Sequence, residues 1–290
     1  MRNVTLAATQ FACSWDLPAN VDRAETLVRQ AAAQGAQVIL LQELFATPYF
    51  CITERPEYLS LAAAVEGHPL IARFADLARE LGLVIPVSFF EAAGPAFFNS
   101  VAMADADGRV LGVYRKSHIP QNPGYEEKYY FSPGDTGFRV WDTAFGRIGV
   151  GICWDQWFPE CARAMALLGA EVILYPTAIG SEPTDPGYDS QPHWTCVMRG
   201  HAAANILPVV ASNRVGSEVA PGGRGVTFYG SSFITGPTGA LLAEAGRADE
   251  GVITATVDLD AAATLRRSWG VFRDRRTDLY RSLITLDGRT

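Results

Sequence analysis

No stretch of this 290-residue chain approaches the roughly 18 consecutive apolar residues of a membrane span, so no membrane crossing is expected. The opening Met1 to Phe11 lacks a basic region followed by a long apolar stretch, so a secretory leader is not expected either. Runs of Lys or Arg are missing. With 24 basic against 31 acidic residues the net charge is -7, which counts against nucleic acid and anionic membranes as partners. Cysteine is scarce, and the five present (Cys13, Cys51, Cys153, Cys161, Cys196) form no CxxC pair and no even disulfide framework. A zinc site is therefore not expected, and a reducing, cytoplasmic setting is. Linkers, low-complexity tracts and internal repeats are absent as well. At 48% apolar content, 290 residues can bury one large core, so a single domain over 1–290 is expected.

What the chain does have is an alternation of two periodicities. Short apolar runs predict strands near 4–10, 38–42, 83–90, 99–104, 109–114, 138–142, 147–152, 171–175, 207–212, 231–235 and 252–257. Amphipathic spacing predicts helices over 20–34 and 69–81, stopped by Gly35 and Gly82, and over 159–168, 191–204 and 260–267. Asp105-Ala106-Asp107-Gly108 and Gly236-Pro237-Thr238-Gly239 have hairpin-turn chemistry. The class is α/β with some antiparallel pairs.

Three strand ends carry residues that a strand end has no structural need for. Val38-Ile39-Leu40-Leu41 runs into Gln42-Glu43, Arg109–Tyr114 into Arg115-Lys116, and Arg147–Ile152 into Cys153. Reacting groups in layered α/β folds gather beyond the carboxyl ends of strands, so Glu43, Lys116 and Cys153 are expected to share a pocket. Carboxylate, ammonium and thiol supply a base, an oxyanion stabiliser and a nucleophile. Pro159 opens the next helix, and its N-terminal partial charge is expected to favour the Cys153 thiolate. Taken singly, a packed cysteine and a solvated ion pair are the plainer readings of these residues. His118 fits a hydrogen-bonding support role, and His193 a structural or interfacial one.

These segments resemble the nitrilase superfamily, carbon–nitrogen hydrolases with a Glu-Lys-Cys triad. The likeness is carried by Leu41-Gln42-Glu43-Leu44-Phe45, Tyr114-Arg115-Lys116-Ser117-His118-Ile119-Pro120 and Gly151-Ile152-Cys153-Trp154-Asp155. It is also carried by Glu127–Asp135, which resembles the segment bearing the family's second active-site glutamate. The resemblance implies a four-layer α-β-β-α sandwich, no cofactor or metal, and a homo-oligomer built from dimers, with the tail at about 268–290 in subunit contacts. It makes Glu127 an orienting group for the lysine or for water, with simple pairing to Lys116 or Lys128 as the alternative. The Trp154 backbone N–H joins Lys116 as an oxyanion donor.

The segments Cys153–Glu160 and Ser268–Arg276 look most like those of family members acting on carbamoylated diamines. Gln121-Asn122 departs from that pattern, which calls for an acidic or glycine pair there. Relatives that act on carbamoyl amino acids are expected to place an arginine just after the nucleophile, where this chain has Asp155 and Gln156. The expected partner is therefore a small cationic carbamoyl amine. Glu182 is expected to hold its ammonium group, Asp185 to lie farther out in solvent, Asp155 to sit in the substrate pocket, and Tyr49, Tyr130 and Trp154 to wall the apolar chain. A carbamoyl amino acid, another small amide or a nitrile would use the same trio. An inactive binding module or an interaction scaffold on this fold also remains open.

Overall fold

The computed structural model describes residues 1–289. In chain order the elements are β1 (Asn3–Gln10), α1 (Leu17–Ala33), β2 (Val38–Leu40), α2 (Pro69–Leu81), β3 (Ile85–Ala93), β4 (Ala96–Ala104) and β5 (Val110–Arg115). There follow α3 (Glu127–Tyr130), β6 (Val140–Thr143), β7 (Gly146–Val150), α4 (Pro159–Leu167), β8 (Val172–Pro176), α5 (Gln191–Asn205) and β9 (Val209–Ser212). The last are β10 (Val215–Val219), β11 (Gly225–Tyr229), β12 (Phe233–Thr235), β13 (Leu241–Glu244), β14 (Gly251–Asp258) and α6 (Leu259–Trp269). Among the described residues no helix is long and apolar enough to cross a membrane.

Side-chain alternation along the strands sorts these elements into layers. In β1 and β2, Val4, Leu6, Ala8, Val38 and Leu40 face one way, into a core shared with Ile148, Val150, Val172, Leu174, Val210 and Ile234. Ala7, Ile39 and Leu41 point the other way, onto α1 and α2 residues such as Leu27, Val28, Phe74 and Ala78. On the opposite side Ile173, Tyr175, Val209 and Ala211 pack on Met165, Trp194, Met198 and Ala202 of α4 and α5. The result is helix, sheet, sheet, helix, as the family resemblance implies. Each fully buried Leu, Ile or Val contributes roughly 1.5–3 kcal/mol, and these runs supply them on both faces of both sheets.

One sheet has the order β13-β12-β9-β8-β7-β6. The other joins β14-β1-β2 to β3-β4-β5 through the Val38–Val84 bridge, where the Ile39 amide donates to Val84 O at 3.0 Å. Helix boundaries follow their local chemistry. The Asp16 carboxylate accepts from the Ala19 amide at α1, and Asp258 accepts from the Asp260 and Ala261 amides at α6. Gly82 closes α2 at φ 65°. The two anticipated hairpins join β4 to β5 and β12 to β13. Three strands went unanticipated: β10, β11 and β13. The β10–β11 pair is a two-stranded ribbon lying outside both main sheets.

Candidate active site

The carboxyl ends of β2, β5, β7 and β8 converge between the layers. Glu43 lies three residues beyond β2, and its amide donates to Thr177 O at 3.3 Å, just past β8. The next residue, Leu44, sits at φ 49° with its amide bonded to Ser88 Oγ at 2.9 Å. Lys116 follows β5, and its amide donates to Asn99 O at 2.8 Å. Gly134 packs against this turn so closely that a Cβ there would come within 2.0 Å of Arg115 O.

Lys116 Nζ donates to Glu43 Oε1 at 2.9 Å and to Glu127 Oε2 at 2.6 Å, and all three side chains are fully enclosed. Asn99 Nδ2 also donates to Glu43 Oε1, at 2.7 Å, while Glu43 Oε2 has no partner among the described residues. The Tyr49 hydroxyl donates to Glu127 Oε1 at 2.6 Å. Burial would strip the Lys116 ammonium of its proton, but Glu127 and Glu43 outweigh it and hold its pKa well above the usual lysine value. Burial raises the Glu127 carboxyl to about 7, with Lys116 opposing and Glu43 reinforcing the rise.

Cys153 occupies a strained position at φ 44°, where β7 breaks into a tight turn over Cys153–Trp157. Its Sγ lies 3.8 Å from Ala178 O. The thiol forms part of the wall of a cavity of about 370 Å³, together with Glu127, Trp154, Trp157, Tyr125 and Glu182. A cavity of about 440 Å³ elsewhere, lined by Leu17, Val21, His68, Phe89 and Leu44, contains none of the reactive side chains.

A model of the carbon-nitrogen hydrolase family matches residues 5–267. The chain belongs to that family. It is 59% identical to an N-carbamoylputrescine amidase of Arabidopsis thaliana, across 99% of this chain and 97% of that protein. It is 51% identical to a citrullinase of Francisella tularensis, across 98% and 99%. A crystal structure of a carbon-nitrogen hydrolase from Helicobacter pylori superposes with a TM-score of 0.92 at 39% identity, covering 98% of this chain and 99% of that one.

Within this hydrolase the three strand-end residues and Glu127 do come together, but several expectations need correction. The Cys153 thiol is not tuned toward thiolate by a helix terminus. The helix α4 begins only at Pro159, and burial, then Glu43, push the thiol pKa well above its ordinary value. The resting group is a thiol that needs a base. Asp155 is not a substrate ligand: it is fully buried and accepts from the Tyr114 hydroxyl, the His118 amide and the Ile152 amide at 2.7, 3.0 and 2.9 Å. That carboxylate fixes the turn on which Cys153 is strained. Gln156 also faces inward, its Oε1 accepting from Thr177 Oγ1 at 3.0 Å.

Tyr49 and Tyr130 do not wall the cavity either. Tyr49 serves Glu127, and Tyr130 is packed among Phe50, Phe90 and Phe131 with its hydroxyl on Thr53 O. Trp154 does line the cavity, and so does Glu182, which is half-buried. Asp185 is exposed as anticipated, but it too borders the cavity rather than lying away from it. His118 is a support residue, stacked on Phe158 at 3.7 Å between ring centroids, with Nδ1 2.7 Å from Asp155. His193 lines the cavity mouth, its Nδ1 3.2 Å from the Tyr188 hydroxyl, which the structural reading of it missed. Asn122 joins the same wall. Cys196 is exposed.

Proposed function

We propose that this hydrolase cleaves N-carbamoylputrescine to putrescine, ammonia and carbon dioxide, serving polyamine biosynthesis, by a Glu43-Lys116-Cys153 triad without a cofactor. The supporting observation is the cavity itself: a thiol at its base and two carboxylates, Glu182 and Asp185, along its outer wall. Neither carboxylate is in an ion pair among the described residues, so both are available to a ligand's ammonium group. The identity with an N-carbamoylputrescine amidase over nearly both full lengths points the same way.

In this mechanism Glu43 takes the Cys153 proton, its unpartnered Oε2 being the natural acceptor. The sulfur attacks the ureido carbonyl carbon, and the oxyanion is met by Lys116 Nζ and the Trp154 N–H. Collapse breaks a C–N bond, Glu43 returning the proton to the departing nitrogen. Water then attacks the carbonyl of the S-thiocarbamate left on Cys153, Glu43 accepting its proton and passing it to the sulfur as the C–S bond breaks, and the carbamic acid released breaks its remaining C–N bond to give carbon dioxide and the second amine. Glu127 keeps Lys116 aimed. The 51%-identical citrullinase favours a second reading, in which a ureido amino acid is the substrate. We further place the protein in the cytoplasm as a homo-oligomer whose tail makes subunit contacts. The family match stops at residue 267, and the tail beyond it exposes Trp269, Leu279, Leu283 and Ile284, with Thr290 outside the described residues.

Ammonia release from a panel of N-carbamoylputrescine, citrulline, carbamoyl amino acids, simple amides and nitriles tests the reading. The carbamoyl diamine should give the highest kcat/KM, and the Cys153→Ala protein should release nothing from any of them. A higher kcat/KM with citrulline would favour the second reading, and turnover by Cys153→Ala would remove the thiol mechanism.

A further inference from the structure

The β10–β11 ribbon belongs to neither main sheet, yet it is bonded to three of the loops that build the site. From β10, Glu218 accepts at Oε1 from Arg214 Nη1 at 2.8 Å and at Oε2 from the Tyr49 amide. Arg214 is fully buried, and its Nη2 donates to Glu43 O at 2.7 Å and Leu44 O at 3.3 Å, while Nη1 also reaches Thr47 O at 3.2 Å. At the ribbon's tip Arg224 Nη1 donates to Glu126 Oε1 at 2.7 Å, beside Glu127. From β11, Thr227 O accepts from the Ser181 amide at 2.8 Å and the Thr227 amide donates to Ser181 Oγ at 3.0 Å, next to Glu182. Gly180 makes this approach possible, since a Cβ there would meet Thr227 O at 2.3 Å.

We propose that Glu218 is a positioning residue for the hydrolysis: its carboxylate, shared between Arg214 and the Tyr49 amide, sets both the Glu43 backbone and the Tyr49–Glu127–Lys116 chain. One arm holds the strained Glu43-Leu44 segment from its carbonyl side. The other fixes Tyr49, whose hydroxyl is the second donor to Glu127. A single carboxylate thus keeps the two glutamates on either side of Lys116 in register. The inference rests on the triad reading above.

The consequence reaches the pH profile. Facing Glu127 are Lys116, Glu43, Tyr49, Cys51, Tyr125 and Cys153. Of these Lys116 and Tyr49 donate to its carboxylate and favour the ionised form. Loosening Tyr49 therefore moves the Glu127 pKa upward from about 7.

The test is Glu218→Gln beside Tyr49→Phe and their double mutant, with kcat, KM, Tm and the pH dependence of kcat/KM measured for each. Glu218→Gln should lower kcat roughly tenfold or more with KM within about twofold. Its acid limb should move to higher pH by about half a unit or more, as in Tyr49→Phe, and the double mutant should shift no further than Tyr49→Phe alone. A limb that stays at the wild-type pH overturns the proposal, whether or not kcat or Tm falls. If Glu218→Gln does not fold, Glu218→Asp, one methylene too short to span both loops, is read by the same criteria. Cys153→Ala, run in parallel, separates the two levels. Activity in that variant sinks the triad reading, whereas an unmoved limb in Glu218→Gln with a dead Cys153→Ala sinks only the positioning role.

Discussion

The floor of the site is Glu127, which lines the cavity, with Lys116 and Glu43 behind it, all fully enclosed and joined through Lys116 at 2.6–2.9 Å, whereas along the outer wall Glu182 is half-buried, Asp185 is exposed, and neither has a charged partner among the described residues. The same residue types are put to different uses. An enclosed ammonium between two carboxylates is balanced by its own neighbours, so its geometry is set before any ligand arrives, which is what stabilising a developing oxyanion requires. Carboxylates left unpaired at the rim are fixed by nothing ionic and are free to be satisfied by a ligand. Changes at the floor should therefore act on kcat, and changes at the rim on KM.

The strongest way to break that division is at the thiol. Cys153→Ala should abolish turnover with Tm and oligomeric state unchanged, and any rate near wild type would void the floor as the reacting centre. Next come its neighbours. Glu43→Gln and Lys116→Ala should each reduce kcat at least about a hundredfold, the scale of a lost base or oxyanion donor. Lys116→Arg should not restore it, because a guanidinium fork cannot take the place of a compact ammonium between two carboxylates. A change confined to KM in either case would make that residue a binding group.

Titration sharpens the same point. With Glu127 held near 7 by burial, protonation below that pH removes one of the two negative charges facing Lys116. Activity should accordingly fall as pH drops through about 7, and in Glu127→Gln the limb should be lost along with most of the rate. A wild-type limb near the ordinary glutamate value of about 4.3 would contradict this. At the rim, Glu182→Gln should raise KM for the carbamoyl diamine by roughly tenfold, smaller than for an enclosed pair because solvent screens a half-buried charge. It should leave kcat nearly intact. Asp155, the carboxylate under the nucleophile's turn, touches no part of the cavity, and its loss should be read first in stability. Asp155→Ala strands the Tyr114 hydroxyl, the His118 ring nitrogen and two amides, which costs about 3 kcal/mol and lowers Tm by roughly 5–10 °C without changing KM.

The floor was more legible in the sequence than the rim, and the reason is physical. Glu43, Lys116 and Cys153 each end an apolar strand, and a polar residue at such a place stands out against the run before it. The continuous apolar runs at Val38-Ile39-Leu40 and Val172–Leu174 announced buried strands, the layering came only from the family resemblance, and the caps at Gly82 and Pro159 marked helix ends. The rim is built largely from the irregular loop over residues 180–190, where no periodicity says which way a side chain points. Asp155 illustrates the limit. Its position beside Cys153 suggested substrate contact, but the tight turn at Cys153–Trp157 rotates it inward onto Tyr114 and His118. Tyr49 likewise gave no sign that its hydroxyl would meet Glu127, 78 positions away.

The β10–β11 ribbon was missed for another reason. Val215-Gly216-Ser217-Glu218-Val219 alternates only weakly and is largely exposed, so it lacks the apolar signal that marks a core strand. The turn chemistry of Pro221-Gly222-Gly223 between two Val-containing runs was the available clue. Arg214, fully buried, shows what that omission concealed, since a guanidinium with several carbonyl partners had no rationale until the ribbon supplied Glu218.

The central claim is that unpaired carboxylates at the rim select a cationic end while the floor performs the cleavage. Its most direct test is kcat/KM for N-carbamoylputrescine against N-carbamoyl-4-aminobutyrate, which exchanges the terminal ammonium for a carboxylate at similar reach, in wild type and Glu182→Gln. The account predicts a strong preference for the ammonium compound in wild type, reduced in Glu182→Gln through KM. A wild-type preference for the carboxylate compound would contradict it.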